Sequence, residues 1–129
     1  MTDQSGLIWW TELNTWDADK ALDYYGSVMG WTFEKTQNAG GEDARPYYIA
    51  KRGDQPVAGI FTLVSPDFDG VPDHWFTYLS VADIDATLVN AVDRGGKIYR
   101  PAFEIPGFGR MAVVADVNGA VAGYIQPAT

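Results

Sequence analysis

The sequence predicts an α+β domain built from two βαβββ modules, with the helices covering one face of the sheet. Three observations predict it. Short stretches rich in aromatic and β-branched residues alternate as strands do. Two segments, each following an aspartate, place apolar residues at helical spacing. The whole order then repeats at a constant offset of 66 residues.

Residues 7–15, Leu-Ile-Trp-Trp-Thr-Glu-Leu-Asn-Thr, read as the first strand. Asp17 stands at a helix N-cap, and Ala21, Leu22, Tyr25, Val28 and Met29 form one helical stripe that Gly30 ends. Residues 31–35 read as a strand, 37–46 as a loop, 47–51 as a strand, 52–56 as a turn and 57–64 as a strand. After a loop over 65–73 the order restarts. His74–Val81 is a strand. Asp83 opens a helix whose apolar face is Ile84, Leu88, Ala91 and Val92, and Gly95-Gly96 end it. Residues 97–100 are a strand, 101–109 a loop, 110–115 a strand, 116–119 a turn and 120–126 the last strand. At the offset, Trp10 falls on Phe76, Leu13 on Leu79, Asp17 on Asp83 and Gly30 on Gly96. The late strands drift by two, so that Val57-Ala-Gly59 matches Val121-Ala-Gly123. The modules run over about 6–64 and 73–127 of a single domain, 1–129.

Alternation assigns faces. Trp10, Glu12 and Asn14 share one face of the first strand, and Leu13 and Thr15 the other. Phe76, Tyr78 and Ser80 share the corresponding face of the second module. The Leu/Val/Thr face suits packing against a helix. The aromatic face would line whatever the sheet encloses, with Glu12 and Tyr78 pseudo-equivalent.

Composition narrows the function. The chain has no Cys and one His, which removes disulfides, thiol nucleophiles and any multi-histidine metal site within one chain. Its net charge of −8 opposes a phosphate backbone, so nucleic acid is not an expected partner. No apolar run is long enough to span a membrane, and the first residues lack the features of a secretory signal. No membrane partner is expected, and the cytoplasm is the default location. Five Trp, seven Tyr and six Phe exceed the usual needs of a small core. They suit either a Trp-rich core or an aromatic cavity for an organic ligand. There is no Gly-x-Ser-x-Gly elbow, and Asp67-Phe-Asp-Gly70 is too poor in ligands for an EF-hand.

Trp10-Thr-Glu-Leu-Asn-Thr-Trp-Asp17, Ala21-Leu-Asp-Tyr-Tyr25 and Val28-Met-Gly-Trp31 are followed by Val81-Ala-Asp-Ile-Asp85, Gly95-Gly-Lys97, Gly109-Arg110 and Asp116-Val-Asn-Gly-Ala120. In order and spacing this resembles the glyoxalase / bleomycin-resistance / dioxygenase group, the vicinal oxygen chelate superfamily. It is most similar to a Trp-rich subgroup related to lactoylglutathione lyase. The resemblance implies paired βαβββ modules, a mixed sheet curled around a U-shaped cavity, and a homodimer. It also implies one divalent metal held by His or Glu on the first and last strand of each module. Those positions here are Trp10, Gly59, Phe76 and Gly123, none of which can ligate through its side chain. No metal and no cofactor is therefore expected.

Glu12, Tyr78 and His74 are the catalytic candidates. A carboxylate on an aromatic face would have a raised pKa unless a cation pairs with it, and so suits acid–base work; the alternative is a salt bridge, for example to Arg45 or Arg110. Tyr78 could donate to a ligand oxygen or be a core tyrosine. His74, two residues before Phe76, could assist, although a lone His is more often structural. The ligand-binding candidates are Trp10, Tyr48, Phe61, Phe76 and Arg110. Tyr47 and Tyr48 straddle their strand, so only one of them faces the cavity. Arg110 could clamp an anion or form a surface ion pair with Glu104 or a nearby Asp. The leading expectation is a metal-independent protein that binds an aromatic or apolar small organic molecule. The alternative is a metal-free isomerase or lyase with Glu12 as general base and Tyr78 or His74 assisting.

Overall fold

The structure, a computed structural model, describes residues 5–36 and 47–128. Ten elements follow one another as β1 (Ile8–Thr15), α1 (Ala18–Met29), β2 (Thr32–Thr36), β3 (Tyr47–Arg52) and β4 (Gln55–Thr62), then β5 (His74–Ser80), α2 (Ile84–Asp93), β6 (Lys97–Ile105), β7 (Gly109–Ala115) and β8 (Val121–Pro127). Among the described residues the order is βαβββ twice, an α+β arrangement of eight strands and two helices. The loop expected at 37–46, and with it Arg45, lies outside the described residues.

The chain divides into two compact units, Trp10–Trp75 and Met1–Trp9 with Phe76–Thr129. In the first, the strands are ordered β2-β3-β4-β1. The β1–β4 pair is parallel and the others are antiparallel. In the second, β5 pairs parallel with β8, and β6, β7 and β8 pair antiparallel. The parallel pairs repeat each other in register: Glu12 faces Gly59, and Tyr78 faces Gly123. These are the residues that the internal repeat makes equivalent.

Both helices start as the sequence dictates. The Asp17 carboxylate accepts from the Lys20 N–H and Asp83 from the Ala86 N–H, each at 3.1 Å, so each helix has a side-chain N-cap. The chain leaves α1 at Gly30 in the left-handed region. The helices differ in how they pack. Ile84 and Leu88 of α2 are buried against Ala112 and Val114, while Val92, expected on that face, is exposed. α1 buries none of its residues, and Val28 and Met29 of the expected stripe are exposed. Beneath α1 the sheet face is nonetheless closed, with Leu13, Ala50, Ala58 and Ile60 all buried.

Most strand ends fall within a residue of the expectation, and two boundaries moved further. Residues 101–105, expected in a loop, continue β6, and the turn shrinks to 106–108. Pro101 lacks an N–H, yet it is tolerated because β6 is an edge strand whose pairing with β7 is irregular from Ile98 to Phe103. The strand expected over 57–64 runs instead from Gln55 to Thr62.

Candidate functional site

Register decides which side chains of the Trp10–Trp75 unit meet. Glu12 pairs with Gly59 and Asn14 with Phe61 across β1–β4, and Tyr47 pairs with Phe61 across β3–β4. In-register partners share a face. One face therefore carries Trp10, Glu12, Asn14, Tyr47, Gly59 and Phe61. The other carries Leu13, Thr15, Tyr48, Ala50 and Ile60, on the α1 side. Tyr47, not Tyr48, is the tyrosine beside Trp10 and Glu12. This corrects the expectation for Tyr48, because the pairing Tyr48–Ile60 puts it under the helix.

Three side chains on the first face form a chain of hydrogen bonds. The Trp10 Nε1–H donates to the Tyr47 hydroxyl at 3.0 Å, and that hydroxyl donates to the Glu12 carboxylate. Glu12 is only 7% exposed, and so is Asn14. Burial pushes the Tyr47 hydroxyl far above its ordinary 10.0. The negative charge of Glu12 pushes the same way, while the Trp10 hydrogen bond works against it. Tyr47 is thus held as a neutral donor, and the Glu12 carboxyl accepts from it.

Gly59 makes this arrangement sterically possible. A Cβ at residue 59 would overlap the Tyr47 hydroxyl and stand 3.0 Å from Trp10 Nε1. The space that a side chain at position 59 would need is filled by Tyr47. The other unit repeats the device. A Cβ at Gly123 would come within 2.6 Å of the Tyr78 ring and 2.9 Å of the Phe76 ring. Phe76 and Tyr78 meet edge to face at 5.2 Å. The four positions where the resemblance implies metal ligands therefore hold Trp10 and Phe76, with two glycines covered by rings. Among the described residues, no group of three or more His, Asp or Glu side chains could hold a metal ion.

The remaining candidates lie elsewhere. His74 borders an open hollow with Leu13, Thr15 and α1, and its Nδ1–H donates to the Pro72 carbonyl at 2.8 Å. The Arg110 guanidinium grips Asp85 with two hydrogen bonds, of 3.0 and 3.3 Å. The pair is solvent-exposed, and Arg110 holds the Asp85 carboxyl below its ordinary value through hydrogen bonding and charge. The surface ion pair weighed for Arg110 thus forms, with Asp85 as partner. Tyr47 and Asn14 are the site residues that sequence reasoning did not select. Parity already put Asn14 beside Glu12, but only the strand pairing distinguishes Tyr47 from Tyr48.

Comparison with known proteins supplies the family. The profile described as Glyoxalase/Bleomycin resistance protein/Dioxygenase superfamily matches residues 7–122. CFP32 of Mycobacterium tuberculosis, provisionally named a glyoxylase, is 36% identical over 128 residues, 99% of this chain and 47% of its own length. The anthracycline biosynthesis protein DauV of Streptomyces sp. strain C5 is 32% identical over 120 residues, 93% of this chain and 41% of its own. The chain thus spans about half the length of the curated relatives it matches. Among solved structures, methylmalonyl-CoA epimerase from Mycobacterium tuberculosis superposes with a TM-score of 0.64 at 17% identity, over 100% of this chain and 94% of the epimerase. That likeness extends to the fold. With nearly its whole length matched by the family profile and by relatives above 30% identity, the chain belongs to the Glyoxalase/Bleomycin resistance protein/Dioxygenase superfamily.

Proposed function

We propose that this chain binds a small organic molecule with an aromatic or apolar body, and that it does so without a metal. The binding face is the one shared by Trp10, Tyr47 and Phe61, with Glu12 and Asn14 as polar anchors. The observation that carries the reading is the Trp10–Tyr47–Glu12 hydrogen-bond chain over Gly59. The indole and phenol fill the space a ligating side chain would need, and neither they nor glycine can replace a His or Glu as metal donor. What remains is apolar surface with a few fixed polar groups, the usual makeup of a small-molecule site. DauV is named for anthracycline biosynthesis, and an anthracycline is an aromatic polycycle of the type such a face would take. Phe76 over Gly123 is proposed as a second aromatic surface for the same kind of ligand. A homodimer and a cytoplasmic location belong to the same reading. No helix among the described residues is long and apolar enough to cross a membrane.

The test is a titration of the protein with anthracyclines, naphthoquinones and flavonoids, followed by calorimetry and Trp fluorescence, with and without EDTA. Saturable binding that EDTA leaves unchanged and Trp10→Leu weakens by about tenfold supports the proposal. Binding that appears only when a divalent metal is added overturns it, as does a panel with no binder.

One observation favours a second reading, a metal-free isomerase or lyase. Glu12 is buried and oriented by a neutral phenol, which is how a general base is held in place. In that reading Tyr47 takes the supporting role expected of His74 or Tyr78. Glu12→Gln should then reduce turnover by roughly 10²-fold or more, whereas in a pure binder it changes affinity alone.

A further inference from the structure

We propose a second ligand site, on the α1 side of the Trp10–Trp75 unit, that takes a small organic cation with a quaternary or protonated amine head. It is independent of the Glu12 face, which lies on the opposite side of the same strands. The starting point is how the two helices sit. α2 buries Ile84 and Leu88, but α1 has no fully buried residue, and between α1 and the first strand lies an open hollow of about 370 Å³. That volume is in the range of small-molecule sites.

An aromatic cluster stands beside the hollow, and its Tyr25 and Trp75 line it. Tyr25 stacks on Trp31 at 5.6 Å, and Trp75 meets both edge-on at 5.6 and 6.3 Å. The Trp75 Nε1–H donates to the Tyr25 hydroxyl at 3.2 Å, which ties the strand residue to the helix. Tyr24 stands against Tyr25 at 4.9 Å and is 57% exposed, while Trp75 is 41% exposed, so aromatic surface borders the opening. The second module has no such cluster: at the repeat offset, Tyr24 and Tyr25 correspond to Asn90 and Ala91.

Two carboxylates stand at the same hollow, and both are fixed in place. Asp17 accepts the Lys20 N–H at 3.1 Å. Asp73 accepts the Thr15 hydroxyl at 2.6 Å and the Trp16 N–H at 3.1 Å. These donors are neutral and orient the carboxylates without cancelling their charge. Lys20 lines the hollow too, and its positive charge offsets one of the two. Aromatic rings beside carboxylates are what a weakly hydrated organic cation binds. The chain's net charge of −8 draws such a cation in, whereas an anion would meet repulsion.

The experiment uses choline and benzyltrimethylammonium as probes and 3,3-dimethylbutan-1-ol as the neutral isostere of choline. Calorimetry and amide-shift mapping are run on the whole chain. Saturable 1:1 binding is expected, with the isostere weaker by about tenfold or more. The shifted amides should cluster in α1 and residues 73–75. Tyr24→Ala, an exposed substitution with little at stake for folding, should weaken the cation by about fivefold, and Trp75→Leu by more. Lys20→Gln should tighten it by a few-fold, because it removes the competing charge. The proposal fails if the isostere binds as well as choline, if Lys20→Gln weakens binding, if the shifts map to Trp10, Glu12 and Tyr47, or if nothing saturates by about 50 mM. Because Tyr24 lies outside the Trp10 face, that face's aromatic titration stays intact in Tyr24→Ala, and the two proposals fail separately.

Discussion

Gly59→Ala is the sharpest perturbation the structure offers. The added methyl would overlap the Tyr47 hydroxyl and press on Trp10 Nε1 at 3.0 Å. β4 is hydrogen-bonded on both sides, so Tyr47 is the group that has to leave. Overfilling a packed site costs about 1–3 kcal/mol. Moving Tyr47 also abandons the bond from Trp10 and the bond to Glu12, and a buried polar group left without its partner costs about 1–3 kcal/mol. Alanine returns about 0.5–1 kcal/mol by restricting the unfolded chain. The net loss is about 3 kcal/mol. The assay is urea unfolding followed by circular dichroism, with an unchanged slope as the check that the denatured state is the same. Gly26→Ala is the internal control. It lies inside α1, its added methyl meets atoms no nearer than 3.6 Å, and it should stabilise by about 0.5–1 kcal/mol. The same chemical change thus carries opposite signs at two positions. The cause is checked in a Tyr47→Leu background, where Gly59→Ala should lose most of its cost. The reasoning is refuted if Gly59→Ala costs under about 1 kcal/mol, or if it costs as much with Tyr47 removed.

Three further outcomes are expected. Tyr47 is raised well above its ordinary 10.0, so its protonated form stabilises the fold fully below that pH. Stability should fall as pH rises past 10.0, because the unfolded tyrosine ionises first, and Tyr47→Phe should remove part of that alkaline slope in unfolding titrations. Asp85 is held low by Arg110, so its contribution is present above the ordinary 3.8 and disappears as pH falls through the lower folded value. In Arg110→Gln, carboxyl NMR titration should find Asp85 back near 3.8, with little change in stability because the pair is exposed. Asp17→Ala and Asp83→Ala each delete an N-cap and should each cost about 1 kcal/mol by denaturant unfolding; a cost near zero at both would remove the capping argument.

Much of the architecture was already in the order of residues. The βαβββ repeat, both capping aspartates and the end of α1 at Gly30 are local signals, set by spacing over a turn or by one side chain on a nearby amide. The drift of two residues between the late strands was legible as well, and it reappears as the matched registers Glu12–Gly59 and Tyr78–Gly123. Alternation along β1 put Trp10, Glu12 and Asn14 together correctly, since a strand's two faces follow from its own geometry.

The tertiary structure decided what depends on partners far along the chain. Tyr47 and Tyr48 are equivalent to any local rule, and only pairing with β4 turns one toward Glu12 and the other under α1. Arg110 finds Asp85 through the packing of α2, 25 residues away. Apolar spacing in α1 marked a stripe, but whether the stripe is buried depends on what stands under it, and there a hollow lies between α1, Leu13, Thr15 and Trp75. The identity of residue 59 shows the same division. Its glycine is visible in the sequence, but the reason for it, a tyrosine hydroxyl arriving from another strand, exists only once β3 and β4 are paired.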